Sequence, residues 1–313
     1  MKRVEIVVLN WNGRRDTERC LESLARLRPP AGYDVQLRVV DNGSTDGSAT
    51  ALPAAYPAVI FQLLPENQRY AGGNNAGARA ALDAGADFVV LLNNDTSTDE
   101  ALLVELFREV ERDAECGLWG PCITDAGGRV WFGGGGISLA LGWTWHRGLG
   151  APPPAPGTPA TDADYLTGCC LLVSRSVFER VGWLDEGYFL YAEDADFSVR
   201  ARRAGYRPRY VPAARLTHFV SSSSGGAVNP FKAYHRTRAG LRFFTRHATG
   251  WRRWTWPVGF LCLLFAQSVA WTLRGAPAAA GAAWQAVVDD AQARPPGERY
   301  PAPAGPWRGE EAA

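Results

Sequence analysis

The sequence predicts an α/β fold in which helices flank a mostly parallel sheet and a helical appendage follows at the C-terminus. Short apolar runs alternate with helix-like segments in the first third of the chain, which is the pattern of parallel β–α units. Polar turns follow these runs, as expected at the carboxyl ends of parallel strands. An uncharged, tryptophan-rich stretch at residues 254–273 lies outside this pattern and predicts the appendage.

The elements of the first half follow from apolar runs, helical periodicity and turn residues. Residues 4–9 are almost continuously apolar, which is typical of a strand buried on both faces of a parallel sheet. Pro29 and Pro30 close the helix that follows, and residues 41–47 are dense in turn formers. The predictions are strands at 4–9, 35–40, 59–64 and 88–92 and helices at 14–27, 71–85 and 99–112.

The second half begins with irregular chain. Residues 133–136 are all glycine and residues 152–159 are rich in proline, which predicts a hairpin and a loop able to order over a substrate. Regular patterns then return, and Gly205 is a natural helix stop. The predictions here are strands at 166–174 and 208–216 and helices at 176–181, 192–205 and 230–247.

Acidic and basic residues are separated along the chain, although the formal net charge of the 313 residues is only +1. Residues 1–196 contain 16 Lys and Arg against 27 Asp and Glu, whereas residues 197–288 contain 14 Lys and Arg and no acidic residue. Such a basic segment favours an anionic partner, which would be a membrane surface, a pyrophosphate or a nucleic acid.

The cysteines and the N-terminal residues indicate the cellular compartment of the protein. The six cysteines form no Cys-x-x-Cys pair and the four histidines lack zinc-site spacing, which favours reduced cytosolic thiols. The apolar run at residues 4–9 is too short for a signal peptide. We therefore expect a cytoplasmic protein.

The segment 182–205 is the most probable place for chemistry because five carboxylates lie within twelve of its residues. Glu193 and Asp194 begin the predicted helix, where the dipole favours the ionised form, and an ionised carboxylate can accept a proton from a sugar hydroxyl. Helix capping is the alternative role for Asp194. Asp196 is predicted to form an ordinary i, i+4 pair with Arg200.

Three other polar residues are candidates for binding. Asp41 follows a strand and can accept from a nucleobase or a ribose hydroxyl, although its turn also reads as a simple tight turn. Asp95 ends the turn after another strand and needs diphosphate oxygens and a second protein ligand to hold a metal. His218 is a candidate for that ligand, with a purely structural histidine as the alternative.

Residues 254–273 have the length of a membrane span, and tryptophans flank them as in an interfacial belt. Pro257, Gly259, Gln267 and Ser268 weaken the prediction of a span. Shallow insertion at a membrane surface is therefore the preferred interpretation. A true span and a buried soluble helical hairpin are the alternatives.

The order of the motifs resembles that of the family 2 glycosyltransferases, most closely the bacterial rhamnosyltransferase-like branch, over roughly residues 3–250. The motifs are Val-Val-Leu-Asn-Trp-Asn-Gly, Asp-Asn-Gly-Ser-Thr-Asp, Glu-Asn-Gln-Arg-Tyr-Ala-Gly-Gly-Asn-Asn-Ala-Gly, Leu-Leu-Asn-Asn-Asp, Gly-Cys-Cys-Leu-Leu-Val-Ser-Arg, Tyr-Ala-Glu-Asp-Ala-Asp-Phe and a later histidine, His218. The resemblance implies a GT-A fold, a nucleotide-diphosphate sugar donor, Mg²⁺ or Mn²⁺, and inversion at the anomeric carbon.

The resemblance also implies roles for individual residues. Asp194 matches the general base, and Asp95 and His218 match the metal ligands. The implied donor-binding residues are Asn10, Asn12, Asp41, Asn67, Arg69, Asn75, Asn94 and Asp95, and the implied acceptor-binding residues are Gly168, Cys169, Asp185 and Glu193. Two departures are Asn93 at the first position of the D-x-D turn, and Arg69 where glycine is commoner.

The expected function is transfer of rhamnose or another hexose from a dTDP- or UDP-sugar to a glycan or lipid-linked acceptor in cell-envelope polysaccharide synthesis. Residues 230–274 are expected to meet an anionic membrane surface at the inner face of the cell membrane, and no nucleic acid is expected. A non-catalytic protein of the same fold, binding a sugar nucleotide or a membrane, and a sugar nucleotidyltransferase are the alternatives.

The expected organisation has three parts. Residues 1–226 form the catalytic domain, with a donor-binding half at 1–124 and an acceptor half at 125–226. Residues 227–294 form the basic, tryptophan-rich appendage, and residues 295–313 form a disordered tail rich in proline and glycine.

Overall fold

The computed structural model describes residues 1–219 and 229–301. Its strands are β1 Lys2–Asn10, β2 Tyr33–Asp41, β3 Ile60–Leu63, β4 Phe88–Asn93, β5 Thr96–Thr98, β6 Gly117–Thr124, β7 Val130–Phe132, β8 Gly135–Ser138, β9 Trp143–His146, β10 Thr161–Asp162, β11 Cys170–Ser174 and β12 Arg207–His218. Its helices are α1 Arg14–Leu24, α2 Ser48–Ala55, α3 Arg69–Asp83, α4 Leu102–Arg112, α5 Arg175–Val181, α6 Glu193–Arg203, α7 Pro230–His247, α8 Arg252–Leu273 and α9 Pro277–Ala291.

A ten-stranded mixed sheet forms the centre of the molecule, in the order β10-β12-β6-β11-β4-β1-β2-β3, with β5 and β7 paired at its side. Strands β4, β1, β2 and β3 are parallel, and β11 runs antiparallel between β4 and β6. Strand β12 is parallel to β6. The carboxyl ends of β1, β2, β4 and β12 therefore meet the beginning of β11 at one edge of the sheet, where ligands bind in such folds.

The predicted elements are present with small shifts at their ends, and the α/β class is confirmed. Strand β11 begins at Cys170 instead of residue 166. Strand β6 and helices α2 and α9 were not predicted from the sequence. Strand β6 is fully buried yet contains Gly120 and Pro121, which mask the apolar run that normally marks such a strand.

The predicted hairpin within residues 125–165 is formed by β8 and β9. The glycine run makes it possible, because a Cβ atom on Gly136 would lie 2.2 Å from the ring of Trp145. The hairpin turn contacts α8, where Gly142 lies against Phe260 and Gly259 lies against Leu141. Closure of the neighbouring loop over a substrate stays a prediction.

A buried ionic cluster joins the sheet domain to α7. Asp196 is fully buried and accepts from Arg200 Nε and His247 Nε2, each at 2.7 Å, while Arg246 lies 3.4 Å away. Burial alone would raise the pKa of Asp196, but the hydrogen bonds from His247 and Arg200 outweigh it and lower that pKa. The predicted Asp196–Arg200 pair is confirmed, and the same carboxylate also holds the appendage.

Helix α8 is the one helix among the described residues that is long and apolar enough to cross a membrane. It contacts α7, α9 and the hairpin, but Trp254, Val258 and Phe265 remain 71%, 64% and 62% exposed. The alternative of a buried soluble helical hairpin is therefore wrong, because most of the apolar surface of α8 faces outward.

Residues 295–301 contact the appendage helices. His235 contacts the carbonyl oxygen of Tyr300 at 2.8 Å, and Arg299 pairs with the buried Asp289 of α9 at 2.9 Å. The disorder expected from residue 295 onward stays a prediction. The predicted boundary at residue 226 and the tail at 302–313 lie outside the described residues.

Candidate active site

The donor-side network is centred on Asn10, the last residue of β1. Its amide nitrogen donates to Asp41 Oδ2 at 2.7 Å and to Ser48 Oγ at 2.9 Å, and its amide oxygen accepts from Asn94 at 3.2 Å. Asp41 also accepts from the Ser44 N–H at 2.9 Å. The network joins the ends of the parallel strands β1, β2 and β4. Within it, Asp41 holds the turn that follows β2. A contact between Asp41 and a nucleobase stays a prediction.

Two loops beside this network carry further predicted donor residues. Asn12 has a left-handed backbone with φ 53°, and its side-chain oxygen accepts from the Thr45 N–H at 2.6 Å. Asn67 accepts from Asn42, at 3.0 Å, and from the Arg69 N–H, at 2.7 Å. The side-chain nitrogen of Asn12 is buried without a hydrogen-bond partner among the described residues, so it is available to a ligand.

Asp95 and His218 lie together, as their implied shared role requires. The turn after β4 leads into β5, which pairs antiparallel with β12 so that Thr96 faces His218. This register places Asp95 Oδ1 3.1 Å from His218 Nε2. The Trp131 ring packs edge-on against His218, with 4.7 Å between ring centroids.

The Asp95–His218 pair fits a divalent cation. Two adjacent ligands of an octahedral ion with bonds of about 2.1 Å lie about 3 Å apart, which agrees with the 3.1 Å between Asp95 Oδ1 and His218 Nε2. Within residues 1–219 and 229–301 there is no group of three His, Cys, Asp or Glu side chains suited to a metal. Two protein ligands leave positions open for diphosphate oxygens and water, as is usual for Mg²⁺ and Mn²⁺.

The second centre of the site is Asp194, the second residue of α6. Its Oδ2 accepts from the Gly168 N–H at 2.9 Å, and its Oδ1 accepts from the Ala195 N–H at 2.7 Å. The carbonyl of Gly168 accepts from the Tyr70 hydroxyl at 2.7 Å. A Cβ atom at Gly168 would lie 2.3 Å from that hydroxyl, so only glycine permits this approach.

The backbone before α6 is strained. Tyr191 and Ala192 have φ values of 70° and 66°, although neither is glycine. Each such residue costs on the order of 1–3 kcal/mol, and strain of this kind concentrates at functional sites. Here it turns the chain so that Glu193 and Asp194 begin the helix at the edge of the sheet.

Burial controls the protonation of both acidic residues. The carboxyl of Glu193 is 7% exposed, and burial together with the Asp194 charge raises its pKa to about 8. Burial also raises the pKa of Asp194, although the Gly168 and Ala195 N–H groups oppose the shift. The prediction that the helix dipole would favour both ionised forms is therefore wrong in its net direction. A raised pKa makes ionised Asp194 a stronger base.

The two centres adjoin through Cys169, a predicted acceptor residue. Its carbonyl accepts from the Asn93 N–H at 3.0 Å, which ties the start of β11 to the turn that carries Asp95. Burial raises the pKa of its thiol, and the charges of Asp95 and Asp194 add to this effect. The charges of both carboxylates thus reach one buried side chain, and the shared role of Asp95, His218 and Asp194 in one site stays a prediction.

Three predicted residues make contacts that differ from their implied roles. Asn75 bonds to the backbone of Leu184 in both directions, at 2.9 and 3.0 Å, and thereby fixes the loop before α6. Asp185 pairs with Arg242 at 3.0 Å and with Arg246, so its contacts are those of an anchor for α7. Arg69 stacks over the Phe189 ring, 4.4 Å from its centroid, and its contact with the donor stays a prediction.

Tyr70, His146 and Trp131 were missed by reasoning from the sequence. Tyr70 supports Gly168, and the Trp131 ring contacts His146 at 4.8 Å and His218 at 4.7 Å. Burial lowers the pKa of His146, while the nearby Asp194 charge opposes the shift. The sequence did offer one indication of His146, because it is a single histidine beside two tryptophans in Trp143–His146.

Glu193→Gln is expected to remove a pH dependence of stability. The pKa of Glu193 is about 8 in the folded protein, against about 4.3 in an unfolded chain. Between these values the folded state binds more protons, so the free energy of unfolding contributed by this group falls as pH rises. Urea unfolding between about pH 5 and about pH 8 should show a steeper loss for the wild type than for Glu193→Gln. Equal slopes would contradict a buried, neutral Glu193.

Comparisons with known proteins identify the family of this chain. The family model described as "Glycosyl transferase family group 2" matches residues 88–288. An N-acetylglucosaminyl-diphospho-decaprenol L-rhamnosyltransferase of Mycobacterium tuberculosis is 31% identical over 283 residues, which cover 80% of this chain and 88% of that protein. A low-salt glycan biosynthesis hexosyltransferase of Haloferax volcanii is 27% identical over 64% of this chain and 62% of that protein.

Solved structures of other glycosyltransferases share the fold. A mannosyltransferase from Pyrobaculum calidifontis, in complex with GDP-Man and Mn²⁺, has a TM-score of 0.59 at 17% identity and covers 94% of this chain and 88% of that chain. The crystal structure of GalNAc-T7 with UDP, GalNAc and Mn²⁺ has a TM-score of 0.56 at 15% identity and covers 69% of this chain and 43% of that chain. The predicted GT-A fold is confirmed, and the chain belongs to the family 2 glycosyltransferases.

Proposed function

We propose that the protein is a metal-dependent, inverting glycosyltransferase that moves rhamnose or another hexose from a dTDP- or UDP-sugar to a hydroxyl group of a lipid-linked or glycan acceptor. Two sets of contacts carry the proposal. Gly168 donates to Asp194, and the next residue, Cys169, accepts from the Asn93 N–H, two residues before Asp95. Asp95 in turn lies 3.1 Å from His218. The mycobacterial relative supports the substrate class, since its name gives rhamnose as the sugar and a diphospho-decaprenol as the carrier. Cell-envelope polysaccharide synthesis is the corresponding process.

The proposed reaction is a direct displacement. The acceptor oxygen forms a bond to the anomeric carbon while the bond from that carbon to the diphosphate oxygen breaks. The acceptor proton passes to Asp194, and the nucleoside diphosphate leaves with the bonding electron pair. Attack from the face opposite the leaving group inverts the anomeric centre. The Gly168 N–H orients the carboxylate for this transfer.

The donor diphosphate is proposed to lie by Asp95 and His218, which would hold the divalent metal. The bound metal would neutralise charge that develops on the leaving diphosphate. The loops with Asn12 and Asn67 would contact the nucleotide, since the unpartnered amide nitrogen of Asn12 is available there. Burial raises the pKa of the Cys170 thiol, which disfavours a thiolate nucleophile and agrees with a single displacement.

We also propose that the protein acts in the cytoplasm at the inner face of the membrane. The exposed apolar side chains of α8, with Arg252, Arg253 and Arg274 at its two ends, support contact with an anionic bilayer surface. In this arrangement residues 1–226 are the catalytic unit, with donor and acceptor halves that meet near residue 124, and residues 227–294 are the membrane-facing appendage.

The experiment that tests the function is a panel of nucleotide sugars scored by thermal shift with and without Mn²⁺. We expect one dTDP- or UDP-sugar to raise the Tm more than the others and to do so more strongly with the metal. That donor should then release nucleoside diphosphate when a short lipid-linked sugar is added, and NMR of the product should show the inverted anomer. Binding without transfer to any such acceptor would support the non-catalytic alternative and overturn the proposal.

A further inference from the structure

A cavity of about 540 Å³ lies between α7, the end of α9 and the loop that leads to α6. Its walls are the loop residues 187–190, one face of α7 and residues 290–296. The volume falls in the range of about 300–1,000 Å³ in which small-molecule sites are found. The predicted donor network at the ends of β1 and β2 contributes no residue to these walls.

The walls of this cavity are rich in arginine. Four arginines line it, Arg238, Arg242 and Arg246 from α7 and Arg294 from the end of α9, and Asp290 is the one carboxylate among the lining residues. The three α7 arginines are spaced four residues apart, so they form one stripe on the helix. Part of the basic segment that favoured an anionic partner thus lines a cavity that is open to solvent.

The existing ion pairs leave donors unused. Arg242 contacts Asp185, and Arg238 contacts Asp290 at 3.4 Å and the Arg294 carbonyl at 2.8 Å. A guanidinium has five N–H donors, so each of these contacts uses only part of it. Arg238 is only 9% exposed, and its Nη1 has no hydrogen-bond partner among the described residues. A cavity lined by four arginines whose guanidinium groups keep unused donors suits an anionic ligand.

The cavity also adjoins the candidate catalytic centre. Phe189 on its wall is stacked on His235, with 4.3 Å between ring centroids, and carries Arg69 of the donor side on its ring. Only four residues separate Phe189 from Asp194 along the chain. One wall of the cavity therefore belongs to the segment that leads to the proposed base.

We propose that this cavity binds the phosphate or diphosphate group of the acceptor, so that the arginines hold the anion while the acceptor sugar reaches Asp194. This inference rests on the proposed function for the identity of the ligand, but not for the anion site itself. Bidentate N–H donation from arginine suits phosphate oxygens, and the aromatic wall suits the less polar atoms beside them.

Inorganic pyrophosphate, measured by isothermal titration calorimetry with the full chain, tests the anion site. Arg238→Gln should weaken binding at least about tenfold, because a hydrogen bond to a charged group is lost. Arg108→Gln, at an exposed arginine of α4, should bind as the wild type does. Since Arg238 also supports the fold, a second pair uses the exposed Thr245 on the same wall. Thr245→Glu should weaken binding by charge repulsion, and Thr245→Gln should not.

Kinetics then identify the source of the anion. With an acceptor that carries a diphosphate, Arg238→Gln should raise KM at least about tenfold, while an alkyl glycoside of the same sugar should show no such change. If Arg238→Gln instead weakens the binding of the nucleoside diphosphate, the cavity serves the donor and the proposal is overturned. Unchanged pyrophosphate binding in both Arg238→Gln and Thr245→Glu also overturns it, even if sugar transfer is found. If no transfer is found but pyrophosphate binding responds as expected, the anion site stands and the proposed function fails.

Discussion

Asp194→Asn is expected to lower kcat by about 10²–10⁴-fold while nucleotide-sugar binding stays nearly unchanged. The amide removes the proton-accepting oxygen but keeps one oxygen that can accept from the Gly168 N–H, which now bonds to Asp194 at 2.9 Å. The side chain should therefore keep its contact with Gly168, while it loses its basicity and the hydrogen bond from the Ala195 N–H. Release of nucleoside diphosphate measures kcat, and thermal shift with donor and Mn²⁺ measures binding.

The matched control for this variant is Asp34→Asn. Asp34 lies near the start of β2, at the edge of the sheet opposite the site, and pairs with Arg3 on the surface. Its replacement should change neither kcat nor donor binding. Normal turnover in Asp194→Asn would exclude this residue as the base. A parallel loss of Tm and donor binding in that variant would instead assign it to the structure of the α6 terminus.

Removing either proposed metal ligand is expected to have the second large effect. Asp95→Ala and His218→Ala should each lower kcat by at least about 10²-fold and remove the extra stabilisation that Mn²⁺ gives with a nucleoside diphosphate. The reason is that Asp95 Oδ1 and His218 Nε2, 3.1 Å apart, would act on one ion. Electron paramagnetic resonance of free Mn²⁺ measures metal binding directly, without reference to activity.

The double variant makes this prediction sharper. If both side chains hold one ion, Asp95→Ala combined with His218→Ala should lose little more than either single variant, because residues that act as a unit are not additive. Asp83→Ala, at the exposed end of α3, is the control and should retain Mn²⁺ binding. Losses that multiply in the double variant, or Mn²⁺ binding that persists in both single variants, would contradict a shared metal site.

The order of elements and the positions of the polar turns could be predicted because they depend on local patterns. Apolar runs marked β1, β2 and β4, and turn residues marked their carboxyl ends. Strand β6 was missed because Gly120 and Pro121 interrupt its pattern, and only its burial between β11 and β12 makes it a strand. The cavity beside α7 could not be foreseen, because its walls come from three separate parts of the chain, residues 187–190, 235–246 and 290–296.

For individual polar residues, too, the sequence predicted the position in the fold but not the contacts. Position in the motif placed Asp194 at a helix terminus and Asp95 after a strand, and the structure agrees with both placements. Motif position did not distinguish Asp185 or Asn75 from residues that face a ligand. Their contacts with Arg242 and with the Leu184 backbone follow from how the loop before α6 packs.

By itself the sequence determined the family, the α/β class and which residues are able to perform acid–base or metal chemistry, because these depend on residue type and order. Only the tertiary structure decided the charge state and the partners of these residues. Burial raises the pKa of Glu193 to about 8, against the expectation from the helix dipole. The basic segment pairs with the acidic half of its own chain, as Arg246 does with Asp196. Only folding brings these oppositely charged residues, which are far apart in the sequence, close enough to attract each other.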